Sequence, residues 1–265
     1  MKLFLAALLL ALHTFAQEPT LSSTGSLIHR GNYEGVSIGY FAGWKAPTSD
    51  AVNIGFAAGG NRNLGANVSS VNIGRHAGYA ASGGNDVMIG HGAGQYAIDS
   101  SCSVLIGYLA GRNPNQASDV HLFDSIVIGH EAGGQVTGGQ ASVIIGSFSA
   151  RNACIAHGAV IVGEYTGYNA ANASDSVLIG QYAGYDCAAG STLLIETNWA
   201  FRNTGLIYGN FQTRLLELRA KSLGFFDSPA VTKPTVTGSI ADGTATASLV
   251  LALKQLGLIT DSTTP

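Results

Sequence analysis

Seven histidines, three cysteines and sixteen acidic residues are the groups in this 265-residue chain that could shuttle protons, hold a metal or attack as nucleophiles. A histidine general base must sit beside its substrate, and His76, His91, His121, His130 and His157 are the candidates. Three of them, His76, His91 and His130, fall one or two places after a glycine that recurs along the chain. Other copies carry Tyr, Phe, Arg, Ser or Gln at those places, so these histidines read as solvated outer-surface residues. Glu34, Asp50, Asp124 and Asp175 each lie five before the same glycine, with Ser69, Asn85, Cys102, Ala141, Gly158 and Ser191 as counterparts. A calcium ladder needs oxygen ligands on neighbouring copies, so the place reads as a turn position. Cys154 and Cys187 occupy equivalent places two copies apart. At ~4.8 Å per strand they stand ~10 Å apart, beyond disulfide reach, and read as small buried residues or as partners between chains. No CxxC, no phosphate loop and no glycine-rich strand-to-helix turn is present. Neither a cofactor nor a metal is expected.

Aromatic side chains are the better candidates for binding. Tyr40, Phe41, Trp44, Phe56, Tyr79, Tyr108, Tyr165, Tyr168, Tyr182 and Tyr185 flank the recurring glycines. Stacked copies would align some of them into ladders on which sugar rings could lie, and filling of corners is the alternative role.

The elements that must position these groups come from an internal repeat. An apolar-x-apolar-Gly word recurs at Gly39, Gly55, Gly74, Gly90, Gly107, Gly129, Gly146, Gly163 and Gly180, with Glu196 in a tenth place. The period is 16–17 residues, broken by two insertions. The residues three and one before the glycine are Val or Ile in nineteen of twenty cases, from Val36/Ile38 to Leu193/Ile195. Residues two apart share one face of a strand, and this predicts a short strand per copy with the pair pointing into a common core. The residue between them runs Ser37, Asn53, Asn72, then Met88, Leu105, Val127, Ile144, Ile161, Leu178 and Leu194. This residue faces outward on that reading, so its change from polar to apolar implies a covered second face, which a homo-oligomer or, alternatively, an internal second layer would provide. The expected fold is therefore all-β: a β-roll or β-solenoid of about ten rungs over residues 34–200, trimeric, with a short C-terminal helix.

The words Ser-Val-Leu-Ile-Gly at 103–107 and 176–180, and Ser-Val-Asn-Ile-Gly at 70–74, resemble the head repeats of YadA-type trimeric adhesins. Ile-Gly-x-x-Ala-Gly-Tyr at 73–79 and 179–185 is similar to repeats of phage tail-fibre proteins. Leu193-Leu194-Ile195-Glu196, then Leu206 to Phe211, and the tail from Gly224 to Asp261 resemble the closing segments of such fibres. The resemblance implies a trimeric, non-catalytic fibre used for attachment; the expected partners are further copies of the chain, as a homotrimer or filament, and a cell-surface glycan or receptor, with a virion-borne fibre as the alternative to a secreted one. For such a fibre the surface aromatics beside the recurring glycines, Tyr40, Trp44, Phe56, Tyr79, Tyr108, Tyr165, Tyr168, Tyr182 and Tyr185, are the candidate ligand-binding residues. The word Ile-Gly-x-x-Ala-Gly is also similar to the hexapeptide of left-handed β-helix acyltransferases. That geometry needs three words per 18-residue coil, against one per 16–17 here.

Charge and composition agree with a structural role. Thirteen basic and sixteen acidic residues give a net charge of −3 without a basic stripe, which argues against nucleic acid as a partner. Hydrophobic residues make up 46% of the chain, enough for a core, and 36 glycines imply many turns. Met1-Lys2, the apolar run Leu3–Phe15 and Thr14-Phe15-Ala16 read as a signal peptide cleaved after residue 16. A 17–33 segment, the 34–200 array, a 201–230 connector and a 231–265 tail follow, with no membrane span expected in the mature chain. Within the tail, Asp242 and Gly257 bracket a helix over 244–256 whose apolar face would be Ala245, Leu249, Ala252, Leu253 and Leu256. Asn67-Val-Ser and Asn172-Ala-Ser are glycosylation sequons.

Overall fold

A computed structural model describes residues 20–21, 27–29, 35–44, 50–60, 67–97, 100–114, 122–153, 155–197 and 205–262. The expected signal peptide, His121 and Cys154 lie outside them. By contacts the chain divides into two units, Met1–Leu216 and Glu217–Pro265.

The first unit is a β-solenoid of about eight turns whose parallel ladder has ten described strands, one per rung. Its strands begin Val36–Ile38, Val52–Ile54, Val71–Ile73 and continue in step to Val177–Ile179 and Thr192–Ile195. They pair parallel and in register, Val36 opposite Val52 and Ile38 opposite Ile54, so equivalent residues of successive copies form columns. Register holds across the larger insertion, with Val104 opposite Ile126 and Ile106 opposite Ile128. Antiparallel strands close both ends of the sheet: Leu27–His29 against Val36–Ile38, and Ile207–Asn210 against Thr192–Ile195. They occupy edges that an open stack would leave as templates for aggregation.

Each strand ends at the recurring glycine, and the reason is geometric. From Gly39 to Gly180 its φ lies between +115° and +143°. A Cβ there would come within 3.0 Å of main-chain or side-chain oxygen on the following turn or its own corner. Only glycine combines that φ with so close an approach. The chain then runs through overlapping turns. In the seventh rung, Phe148, Ala150 and Asn152 all have positive φ, at 57°, 49° and 61°. Their N–H groups donate alternately to His130 O behind, Thr166 O ahead and Gly134 O behind, at 2.8, 2.8 and 2.9 Å. The intervening N–H groups of Ser149, Arg151 and Ala153 bond inside the turn. A corner without regular secondary structure thus satisfies its backbone donors.

The core reverses one expectation. The middle residue of each strand points inward: Met88, Leu105, Val127, Ile144, Ile161, Leu178 and Leu194 are buried, as are Ser37, Asn53 and Asn72. The Val/Ile pairs, Ile106 and Ile145 included, are half-buried or exposed on the opposite face. The interior is too thin for two large side chains per rung. One central residue meets alanines such as Ala93 and Ala110, and a Cβ on Gly94 would collide with Met88 and one on Gly184 with Leu178. The change from Asn72 to Met88 is therefore a change of core, not of an outer surface. Asn72 donates to Asn53 Oδ1 at 2.9 Å and Asn53 to Ser37 Oγ at 3.3 Å, so the polar end of the core is an asparagine ladder.

A second buried column lies four residues before the glycine, with Ser70, Asp86, Ser103, Ser125, Ser142 and Ser176 among its members. The hydroxyls of Ser103, Ser125 and Ser142 donate to the carbonyls of Leu122, Gly139 and Ala156 on the return leg. The place five before the glycine has φ between 52° and 61° in the described copies, Asp50, Asn85, Asp124, Gly158 and Asp175 among them. That left-handed turn accounts for the Asp, Asn and Gly found there.

In the second unit a helix spans Thr244–Gln255. Asp242 Oδ1 accepts from the Thr244 N–H at 3.0 Å and from its hydroxyl at 2.7 Å. Gly257 at φ 76° ends it, with Leu258 N–H bonded to Leu253 O and Gly257 N–H to Lys254 O, the Schellman pattern. Of the expected stripe, Ala252 is buried and Ala245, Leu253 and Leu256 are half-buried, whereas Leu249 is 46% exposed.

Candidate functional site

Two outward-facing arrays run the length of the solenoid, each repeating once per rung. The first is the Val/Ile stripe. Because the central residue fills the interior, its two β-branched neighbours face out in every rung, and register aligns them into two apolar columns. Val36, Ile38 and Ile126 are 47%, 39% and 40% exposed, and the remaining described members are half-buried by their own ladder neighbours. No charged or polar residue interrupts the twenty positions.

The second array is a ladder of rings at the corners. Tyr40 stacks on Phe56 with centroids 5.8 Å apart, and Phe56, His76 and His91 follow at 5.4 and 6.2 Å. His91, Tyr108 and His130 stack at 5.2 and 5.1 Å, with interplanar angles of 19° and 8°. His130 meets Phe148 edge-on at 4.8 Å, and Phe148, Tyr165 and Tyr182 stack at 4.9 and 5.2 Å. One ring per rung is thus in contact from the first rung to the ninth. Trp44 joins through Phe41, Tyr79 through His76, and Tyr168 with Tyr185 forms a second stacked pair beside Tyr165 and Tyr182. All nine aromatic residues expected to bind belong to this one ladder.

Sequence reasoning missed its other members, His76, His91, Tyr96, His130 and Phe148. Five of the nine rings stand one place after the glycine and four stand two places after it, so neither column taken alone is uniformly aromatic. Reading the two places together would have found one ring per rung. The three histidines are therefore ring partners, His76 and His91 half-buried and His130 exposed as expected. Partial burial, and then the charges of Arg75 and His91, push the His76 imidazole below its ordinary value. In the stacked stretches each ring face is turned to its neighbour, and in His91 the ring nitrogen Nδ1 is buried as well. A sugar laid flat on a ring face is excluded there, because the neighbouring rings already occupy that surface.

One buried group is electrostatically unusual. Asp86 stands in the serine column, accepting from Ser103 N–H at 2.9 Å and Ser100 Oγ at 3.2 Å. Burial pushes its carboxyl up to about 7, against the lowering effect of those two bonds. Among the described residues, no group of three or more His, Cys, Asp or Glu side chains converges in a way that could hold a metal. Cys102 is exposed and Cys187 buried, both as free thiols.

Fold and surface together define a capped, parallel β-solenoid with an apolar stripe on one side and a ring ladder at its corners. No family model, curated protein or solved structure matches the chain.

Proposed function

We propose that this protein is a non-enzymatic, secreted fibre component that assembles through the Val/Ile stripe into a parallel homotrimer and presents its corners for attachment to cell-surface glycans or receptors. The kinship suggested by the repeat words, to trimeric-adhesin heads and phage tail fibres, belongs to the same proposal, with a virion appendage as the alternative setting. The observation that carries it is the uninterrupted apolar stripe. Ten rungs at ~4.8 Å give a length of ~45 Å, and two columns with their side chains span ~11 Å, so the stripe covers roughly 500 Å². That lies toward the upper end of the about 300–600 Å² that the largest patch of a monomer covers, and in a trimer the three stripes together remove about 1,500 Å², enough for a specific interface. A second copy matches it rung for rung. Among the described residues no helix is long and apolar enough to cross a membrane, and a stripe this narrow suits a protein partner.

Light scattering on residues 17–265 tests the assembly, with a trimer mass expected. Ile106→Asp together with Ile145→Asp, which place charges on the stripe without entering the core, are expected to yield folded monomers. A monomeric parent, or a variant that keeps the parent mass, would refute the reading.

A further inference from the structure

The larger insertion begins beside a gap in the corner surface. Five places after the glycine, the fifth, sixth and seventh rungs carry Arg112, Gly134 and Arg151, so one side chain is missing between two guanidinium groups. The result is a cavity of about 120 Å³ around Gly134, lined by both arginines, Leu109, Pro114, Glu131 and Gln135. The two arginines differ in how far they are committed. Arg151 pairs with Glu131 through Nε at 2.6 Å, donates to the Tyr168 hydroxyl at 3.3 Å and lies 5.6 Å from the Phe148 ring centre. Arg112 has its Nε buried with no hydrogen-bond partner. Arg112 lines the same cavity as Arg151 but is given no acidic partner there, because the one carboxylate in the lining, Glu131, is held by Arg151.

We infer that this notch binds the oxyanion of an acidic sugar. The charges fix the sign of the ligand: two arginines against one glutamate leave one positive charge, and that glutamate is already paired. A carboxylate or sulfate offers the two acceptor atoms that match a guanidinium fork. The size fixes how much of the ligand enters. At ~30 Å³ per water the notch holds about four water volumes, room for an acid group and its neighbouring carbons, with the rest of the ring outside against the corner. Leu109 and Pro114 provide apolar surface for those carbons, and Gln135 can bond a hydroxyl. This assignment rests on the attachment reading above and names the ligand class for it.

Calorimetric titration of residues 17–265 at low salt, with glucuronic acid, glucose 6-sulfate, glucose and inorganic sulfate as probes, is the test. At least one acidic sugar is expected to bind at least tenfold more tightly than glucose and than inorganic sulfate, and comparison of the two separates carboxylate from sulfate. Arg112→Gln should weaken that binding at least tenfold. Gly134→Leu should abolish it by filling the notch, and a Cβ at Gly134 meets nothing closer than 3.4 Å, so the fold accepts it. Absence of saturable binding, equal binding of glucose, inorganic sulfate as tight as the sugars, or undiminished binding in folded Arg112→Gln would each overturn the inference. Should both variants unfold, the four-probe comparison on the parent decides alone. A trimer mass with no acidic-sugar binding would sink this site and leave the fibre standing, whereas a monomer that binds the sugar would do the reverse.

Discussion

Neighbouring isoleucines in one strand, Ile144 and Ile145, should behave oppositely when cut to alanine. Ile144 is fully buried, the sole large side chain its rung contributes from the strand to the core, between Val127 and Ile161 in adjoining rungs. Ile145 faces out on the stripe and is half-buried. Truncating a buried Ile to Ala costs about 2–5 kcal/mol, and the cost is greatest where the surroundings cannot collapse. Here they cannot, because the rungs above and below are held at ladder spacing by main-chain hydrogen bonds, so about 4 kcal/mol is expected for Ile144→Ala. At 2–4 °C per kcal/mol for a unit of this size, that lowers the thermal midpoint by roughly 8–16 °C. Ile145→Ala should cost under about 1 kcal/mol in the isolated chain and act instead on association. Thermal unfolding by circular dichroism, at dilutions where light scattering gives the monomer mass, separates the two effects. Because each rung touches only its neighbours, amide exchange should also quicken in the sixth to eighth rungs for Ile144→Ala and nowhere else. Equal destabilisation by the two substitutions, or a larger effect from Ile145→Ala, would refute the assignment of inside and outside.

Two further outcomes follow from named groups. Asp86 titrates near 7 in the folded chain against 3.8 in the unfolded one, so the native state holds its proton more tightly. Stability should fall as pH rises from about 4 to about 7 and level off above, by at most about 4 kcal/mol at 1.36 kcal/mol per pH unit. Asp86→Asn, which keeps an acceptor for the Ser103 N–H, should remove that slope in urea titrations run from pH 4.5 to 8, and an unchanged slope would place its origin elsewhere. Gly146→Ala forces a Cβ onto a residue at φ +133° and against the Gly163 carbonyl, and should cost at least about 2 kcal/mol. Gly134→Ala, whose Cβ has room, serves as its control and should move the urea midpoint little; matched effects would contradict the backbone argument.

What was legible from the residues alone is what local chemistry dictates. The 16–17-residue spacing of the Val-x-Ile-Gly words set the strands and their stacking, because β-branched residues favour extended backbone and glycine is needed where φ reaches about +130°. Asp242 and Gly257 marked the helix of the second unit through the same kind of local bonding. The inside and outside of each strand were not decided that way. An extended strand offers two faces, and from Met88 onward both are apolar, so periodicity cannot choose between them. The choice belongs to the cross-section of the turn, where Gly94, Gly111 and Gly184 press on one central side chain and leave no volume for a pair. Ser37, Asn53 and Asn72 misled for a related reason: polar side chains read as solvent-facing singly, yet stacked at ladder spacing they bond one another inside, with Asn72 Oδ1 left unpartnered where the column turns apolar. The ring ladder and the Arg112 notch are products of the same stacking. Residues 16 to 39 apart in the chain become neighbours only when the rungs assemble, so their contacts exist in the tertiary structure and in no single copy of the repeat.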